Sequence, residues 1–362
     1  MKISFKLLIL FLVGILFFSS CTEDDPDPFP SELVKGAYIV NYGNFGDGGA
    51  SIAKYDYEKG ELHNNYFSTQ NNGIELLSNI QFAYEYNDSI YLMGNESDQI
   101  IVVNPLFIQS RNGITEDIAK PRYCVANGDY LYISCWGSNP DWALMPDTYI
   151  AKFNTKTSKV EAKIALPGGP EGLIIANNNL YAALNYVNKI AVIDLSSNAV
   201  SYIETPAVSS YFLKDNNENL YVTFISTWSN FSEETGLGYI NTTSNKIEQV
   251  YKTDGVSTEY GSILTPNDDF SKIYVLKTQY DENWNLSGAV AEFNIGSGTF
   301  TTIIEGISGP KGISYNNADN KLYLFTAESV VSGGSLKIYA EDGQLEKTLE
   351  TGISPTMAIY LD

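Results

Sequence analysis

Histidine, cysteine and positive charge are all scarce in this 362-residue chain. It has one histidine, His63, and three cysteines. No Ser/His/Asp set, HExxH pair or Cys/His cluster at metal spacing can be assembled from that supply. Basic residues number 22 against 43 acidic ones, a net charge of −21. A basic footprint is what general nucleic-acid binding needs, so that class is excluded. Long apolar runs are missing too. The one run of note, Leu7 to Phe18, is too short to span a bilayer but suits the core of a signal peptide.

What the chain does contain is a repeated β unit. From Pro170 to Glu204 four short β-rich runs are joined by turn residues, with no helical period. This describes one four-stranded antiparallel meander, which is marginal alone because its faces have nothing to bury against. Its Leu180-Tyr181 pair recurs along the chain, with tyrosines at 38, 91, 132, 181, 221, 274 and 323, at intervals of 40 to 53 residues. A downstream Asn/Asp/Gly turn recurs with it, as in Asp56 to Gly60, Asp194 to Asn198 and Asn294 to Gly298. Four strands per repeat at this period belong to β-propellers. An immunoglobulin-like string would need units about twice as long.

The expected fold is therefore all-β, a seven-bladed β-propeller over residues 36–362. The first repeat begins at Ala37 to Asn41 without an innermost strand, and Gly352 to Leu361 looks like the start of a unit. A C-terminal strand completing the first blade would close the ring and hide two edges. His63 then falls near the outer rim of that blade, where a surface position is expected.

The loops divide by parity, and function is sought there. The turns joining first and second strands, such as Asn87-Asp88, Asn127-Gly128 and Asn177-Asn178, make a plain face. The loops joining second and third strands share the opposite face with the links between blades. They are long at Tyr42 to Gly49, Trp136 to Asp147, Ser226 to Thr235, Thr278 to Ser287 and Glu328 to Gly333. All four tryptophans, Trp136, Trp142, Trp228 and Trp284, fall in them, joined by Tyr42, Phe45, Phe231 and Tyr280. Indoles on polar loops point to a binding surface, with loop-on-loop packing as the plainer alternative. The inner strands start on this face. Glu171 and its equivalents Gln81, Arg122, Lys311 and Thr356, with Tyr211 and Tyr260 nearby, are expected at the channel mouth, where mixed polar groups ringed by aromatics suit a small-molecule site. The alternative is a solvated rim. Arg122 and Lys311 beside Glu171 oppose a metal there, so no cofactor and no metal are expected.

Two thiols remain downstream. With Asn127-Gly128 as the hairpin turn, Cys124 faces Leu131 and Cys135 lies four residues beyond, too far for a disulfide.

Lys2 and Lys6, the apolar run and Ser19-Ser20-Cys21 resemble a bacterial lipobox, although Phe18 replaces the usual Leu. The resemblance implies a signal peptide over 1–20 and lipid attachment at Cys21; plain secretion is the alternative. Residues 21–35, with Glu23-Asp24-Asp25-Pro26, read as an extended acidic tether. That stretch also resembles the export signal of surface lipoproteins of Bacteroidetes. Without residues 1–20 the charge is −23, which keeps a crowded surface protein in solution.

The pattern Pro170-Glu171-Gly172, Leu180-Tyr181 and Lys189 to Asp194 is similar to that of the YncE-like family of seven-bladed propellers, and the likeness is one of fold. Together with the lipobox and acidic tail it implies an outer-membrane, surface-exposed lipoprotein of the Bacteroidetes type. Some of these capture cobalamin for a TonB-dependent outer-membrane transporter. The expectation is a non-catalytic module binding a small ligand, cobalamin first, on its aromatic face. A protein- or glycan-interaction scaffold is the alternative, and a lactonase-like enzyme stands third.

Overall fold

A computed structural model describes residues 35–109, 113–138, 144–257 and 261–361. The leader over 1–20, Cys21, the tether apart from Lys35, Trp142 and Tyr260 lie outside the described residues.

Seven antiparallel sheets form a ring, as the repeat predicts. The innermost strands of blades two to seven are Ile80–Tyr86, Pro121–Asn127, Pro170–Ala176, Val208–Lys214, Leu264–Pro266 and Pro310–Asn316. Pro355–Leu361 is the seventh. It pairs antiparallel with Gly36–Asn41, placing Ala358 opposite Ile39 and Leu361 opposite Gly36. The first blade is thus closed by the C-terminal strand. All seven repeat tyrosines are buried.

Blade two departs from the repeat. Among the described residues it has three strands, Ile80–Tyr86, Ser89–Gly94 and Gln99–Val103, followed by bridges from Val103 to Gln109 and from Ile100 to Ile114. The turn after the third strand opens on Asn104, as in other blades, but Asn104-Pro105-Leu106-Phe107-Ile108 lacks the Gly, Asn or Ser that closes the five-residue turn elsewhere. Instead Phe107 is fully buried and stacks on Tyr38, with ring centroids 4.6 Å apart. A five-residue helix, Tyr66–Gln70, adds Tyr66 edge-on to the same cluster.

The blade-three hairpin corrects one register. Its turn is Gly128-Asp129, because Asn127 pairs with Tyr130 and Ala126 with Leu131. Only Gly128 has positive φ. Cys124 therefore faces Ile133, not Leu131, and Cys135 lies two residues beyond, not four. Both are buried free thiols. Burial pushes the Cys135 thiol up to about 12 and that of Cys124 higher still, so neither supplies a reactive thiolate.

The inner strands crowd the axis, and glycine makes that possible at three blades. A Cβ on Gly172 would lie 2.3 Å from the Ser210 carbonyl oxygen. At Gly312 and Gly261 it would lie 2.0 and 2.1 Å from that of Thr356. In other blades the same layer carries Phe82, Tyr123 and Tyr211, with Phe82 and Tyr123 stacked at 3.8 Å. The void among these side chains, bounded by Gln81, Arg122, Glu171 and Met357, is about 10 Å³, too small to hold a ligand. At this level the described residues close the axis into a floor. Gly312→Ala should therefore wedge two blades apart and lower stability by about 1–3 kcal/mol in urea unfolding. An unchanged midpoint would mean that the inner strands separate freely.

Candidate ligand-binding site

The residues equivalent to Glu171 share one local device. Each of their inner strands breaks register at its first residues: between Ile80 and Ala83, Pro121 and Tyr123, Pro170 and Leu173, and Pro310 and Gly312. A bulge re-aims the extra side chain. Gln81, Arg122, Glu171 and Lys311 are the bulged residues, which is why their side chains leave the sheet plane. In blade five the break spans Ser209 to Phe212, so Ser210 matches Glu171 and Tyr211 belongs one layer deeper, with Tyr123.

These groups form a floor and not an open mouth. Arg122 donates from Nε and Nη2 to the two carboxylate oxygens of Glu171, both at 2.9 Å, and from Nη1 to Gln81 Oε1 at 2.8 Å. Glu171 is 2% exposed. Burial works against the Arg122 charge, but the Glu171 carboxylate outweighs it and holds the guanidinium above its ordinary pKa. The guanidinium also lies 4.0 Å from the Trp136 ring centroid, a cation–π contact. Lys311 is 3% exposed and lines no cavity described here.

Above this floor sits a cup of about 350 Å³. Six of the seven blades reach it: Tyr42 and Phe45 from blade one, Asn95 and Glu96 from two, Trp136 from three, Asn185 and Tyr186 from four, Trp228 from five and Tyr280 from six. Tyr42, Asn95, Trp136 and Asn185 each follow directly on the second strand of their blade. Propeller symmetry carries that one position to the rim again and again. Trp136 is anchored, donating from Nε1 to the Pro170 carbonyl at 3.0 Å and meeting Tyr186 edge-on at 5.7 Å. Gly168-Gly169 serves this packing: both have positive φ, and a Cβ on Gly169 would lie 2.6 Å from the Tyr186 ring. At the cup's edge Lys120 pairs with Glu96 at 3.9 Å.

Trp228 and Tyr280 form one wall of the cup and also one wall of a second cavity of about 650 Å³ between the loops of blades five and six, lined further by Phe231, Glu233 and Asp254. The loop expected over Thr278 to Ser287 is mostly strand. Pairing continues to Tyr280 opposite Leu286, so this hairpin projects and only residues 281–285 turn. Trp284 sits in that turn at φ 64 and packs on Trp228 at 5.0 Å and Tyr280 at 6.3 Å. Trp228 is 76% exposed and Trp284 66%, a large apolar area open to solvent.

The structure thus brings together Tyr42, Arg122, Trp136, Trp228 and Tyr280, with Glu171 beneath and Trp284 beside them. It buries Lys311 outside the lining of the cup and sets Tyr211 in the floor. Sequence reading missed Asn95, Asn185 and Tyr186, which sit in short loops between second and third strands that were not singled out beside the long ones. Their alignment with Trp136, one residue past the second strand, was the available signal. Among the described residues no group of three or more His, Cys, Asp and Glu side chains is placed to hold a metal ion.

Comparison with known proteins finds the same architecture in distant company. A quinonprotein alcohol dehydrogenase-like protein from Bacteroides thetaiotaomicron matches at TM-score 0.66 and 16% identity, over 91% of this chain and 78% of its own. A periplasmic gluconolactonase from Pseudomonas aeruginosa matches at 0.65 and 12%, over 91% and 99%. A functionally unknown protein from Desulfotomaculum acetoxidans matches at 0.59 and 13%, over 89% and 99%. At such identities the likeness is one of fold alone. No curated protein matches the sequence. Residues 35–330 match the family model of a domain of unknown function, DUF5074, and this seven-bladed propeller belongs to that family.

Proposed function

We propose that the protein is a non-catalytic, surface-exposed outer-membrane lipoprotein, YncE-like in kind and anchored through Cys21, that captures a small ligand in the cup. A corrinoid, cobalamin first, is the ligand we favour, and a TonB-dependent transporter is the partner that would receive it. The observation carrying this reading is the convergence of aromatic side chains from five blades, Tyr42 and Phe45, Trp136, Tyr186, Trp228 and Tyr280, on one cavity. Ligand pockets are concave, aromatic and sparsely polar in this way. Cup and groove share Thr227, Trp228 and Tyr280, so a flat macrocycle could lie across both.

The fold likeness to a gluconolactonase does not favour catalysis here. A calcium-type lactonase site needs several free carboxylates at the axis, and the Glu171 carboxylate is held by Arg122. His63 lies exposed on the outer strand Glu61–His63, far along the sheet from the inner strand.

Titration calorimetry with cyanocobalamin is the direct test. Trp228→Ala and Tyr280→Ala should each weaken binding by at least ~1 kcal/mol. No heat with the wild-type chain would remove corrinoids. Binding that ignores both substitutions would move the site off this rim.

A further inference from the structure

The cup is charge-balanced. Its two cations are both matched, Arg122 by Glu171 and Lys120 by Glu96, within a chain of net charge −21. An anion gains nothing there, and a lone cation finds no unmatched carboxylate at the floor. Consecutive blades two, three and four place Asn95, Trp136 and Asn185 at the same position, along one arc, while Trp228 and Tyr280 face the cavity from blades five and six.

Asn185 is the anomaly in this wall. It is 4% exposed, and its Oδ1 is closed off from solvent with no hydrogen-bond partner. Asn95, its counterpart, donates from Nδ2 to the Pro121 carbonyl at 3.2 Å. Buried amide oxygens are almost always bonded, and an orphan one disfavours the free state. The Asn side-chain amide turns easily about its last torsion, so a small rotation would offer both its donor and its acceptor to an occupant of the cup. The complement of a carboxamide is another group carrying a donor and an acceptor side by side.

From this we infer that Asn185 is a specificity-determining residue, and that the cup selects neutral, flat ligands bearing carboxamide, lactam or imide edges. This rests on the reading of the cup as a ligand site, and deepens it. The aromatic rings take the flat face, Asn185 takes the edge, and the matched ion pairs reject net charge.

Calorimetry on the full chain tests this with cyanocobalamin and riboflavin as neutral probes and a cyanocobalamin monocarboxylic acid as the charged counterpart. At least one neutral probe should bind, and the monocarboxylic acid should bind about tenfold or more weakly than its parent wherever the parent binds. Asn185→Leu should lose about tenfold or more toward the neutral probe. The free Asn185→Leu protein should melt no lower than wild type, and up to about 2 °C higher, since an unbonded buried amide is replaced by an apolar group of similar size. Undiminished affinity in Asn185→Leu, equal binding of the acid, or a lowered melting temperature would each overturn the inference while leaving the cup as a ligand site. Riboflavin binding without cyanocobalamin binding would sink the corrinoid alone. Silence of both neutral probes would remove the inference together with the corrinoid.

Discussion

Arg122→Ala should lower the unfolding free energy by about 3–5 kcal/mol, the largest effect expected of any single side-chain truncation in the protein. Three things are lost together. Glu171, 2% exposed, loses the guanidinium that meets both of its carboxylate oxygens, in a buried region. Gln81 Oε1 loses the Arg122 donor, and Trp136 loses the cation beneath its ring. Domains of ordinary stability hold about 5–15 kcal/mol in total, so the variant should be close to unfolding at physiological temperature. Urea unfolding at neutral pH measures it. The paired substitution Arg122→Met with Glu171→Leu separates charge from packing: it should recover most of the loss, because no ion is left stranded. If Arg122→Ala costs under about 1 kcal/mol, then Glu171 is solvated and the floor is not sealed.

Truncation after Gly352 should abolish the cooperative melt. The strand Pro355–Leu361 supplies Ile359 and Leu361 to the cluster around Tyr38 and Val40, and Ala358 to the cluster with Ile39 and Phe325. Burial of a large aliphatic side chain is worth roughly 1.5–3 kcal/mol, so the apolar loss alone approaches about 5 kcal/mol. Backbone losses add to it. Gly36–Asn41 would become an open inner edge with a row of unpaired N–H and C=O groups, and its neighbours in blades seven and two would each lose an inner strand to pack on. Far-ultraviolet circular dichroism during heating, with light scattering, should show a broad loss of signal and concentration-dependent aggregation. A truncated chain that melts sharply at the wild-type temperature would mean that the ring holds without its last strand.

Both expectations concern parts of the molecule with very different visibility in the sequence. The ring closure was legible, because a repeat lacking its first strand at one terminus and a spare first strand at the other leave one assignment open. The ion pair was not. Arg122 and Glu171 are 49 positions apart in neighbouring blades, and the repeat aligns them as equivalents without saying that two equivalent positions meet at the axis. That they bond, in place of both facing solvent, follows from bulges in the inner strands and from glycines that let the strands close in.

The rim shows the same division. Trp136, Trp228 and Tyr280 stood out by residue type on long loops, and they do converge. Asn185 and Tyr186 are ordinary residues on a short loop, and only their placement makes them part of a cavity. Trp284 was assigned to a long loop, but cross-strand pairing to Tyr280 turned most of that loop into a projecting hairpin.

Period, turn chemistry and the mismatch of the two ends settle seven closed blades before any coordinate is known, because short-range backbone preference and strand alternation are local properties of the chain. Depth is another matter. Whether the axis is a channel or a floor, and which side chains share a cavity, depends on how closely seven sheets approach one another, and that distance is set by contacts between residues far apart along the chain.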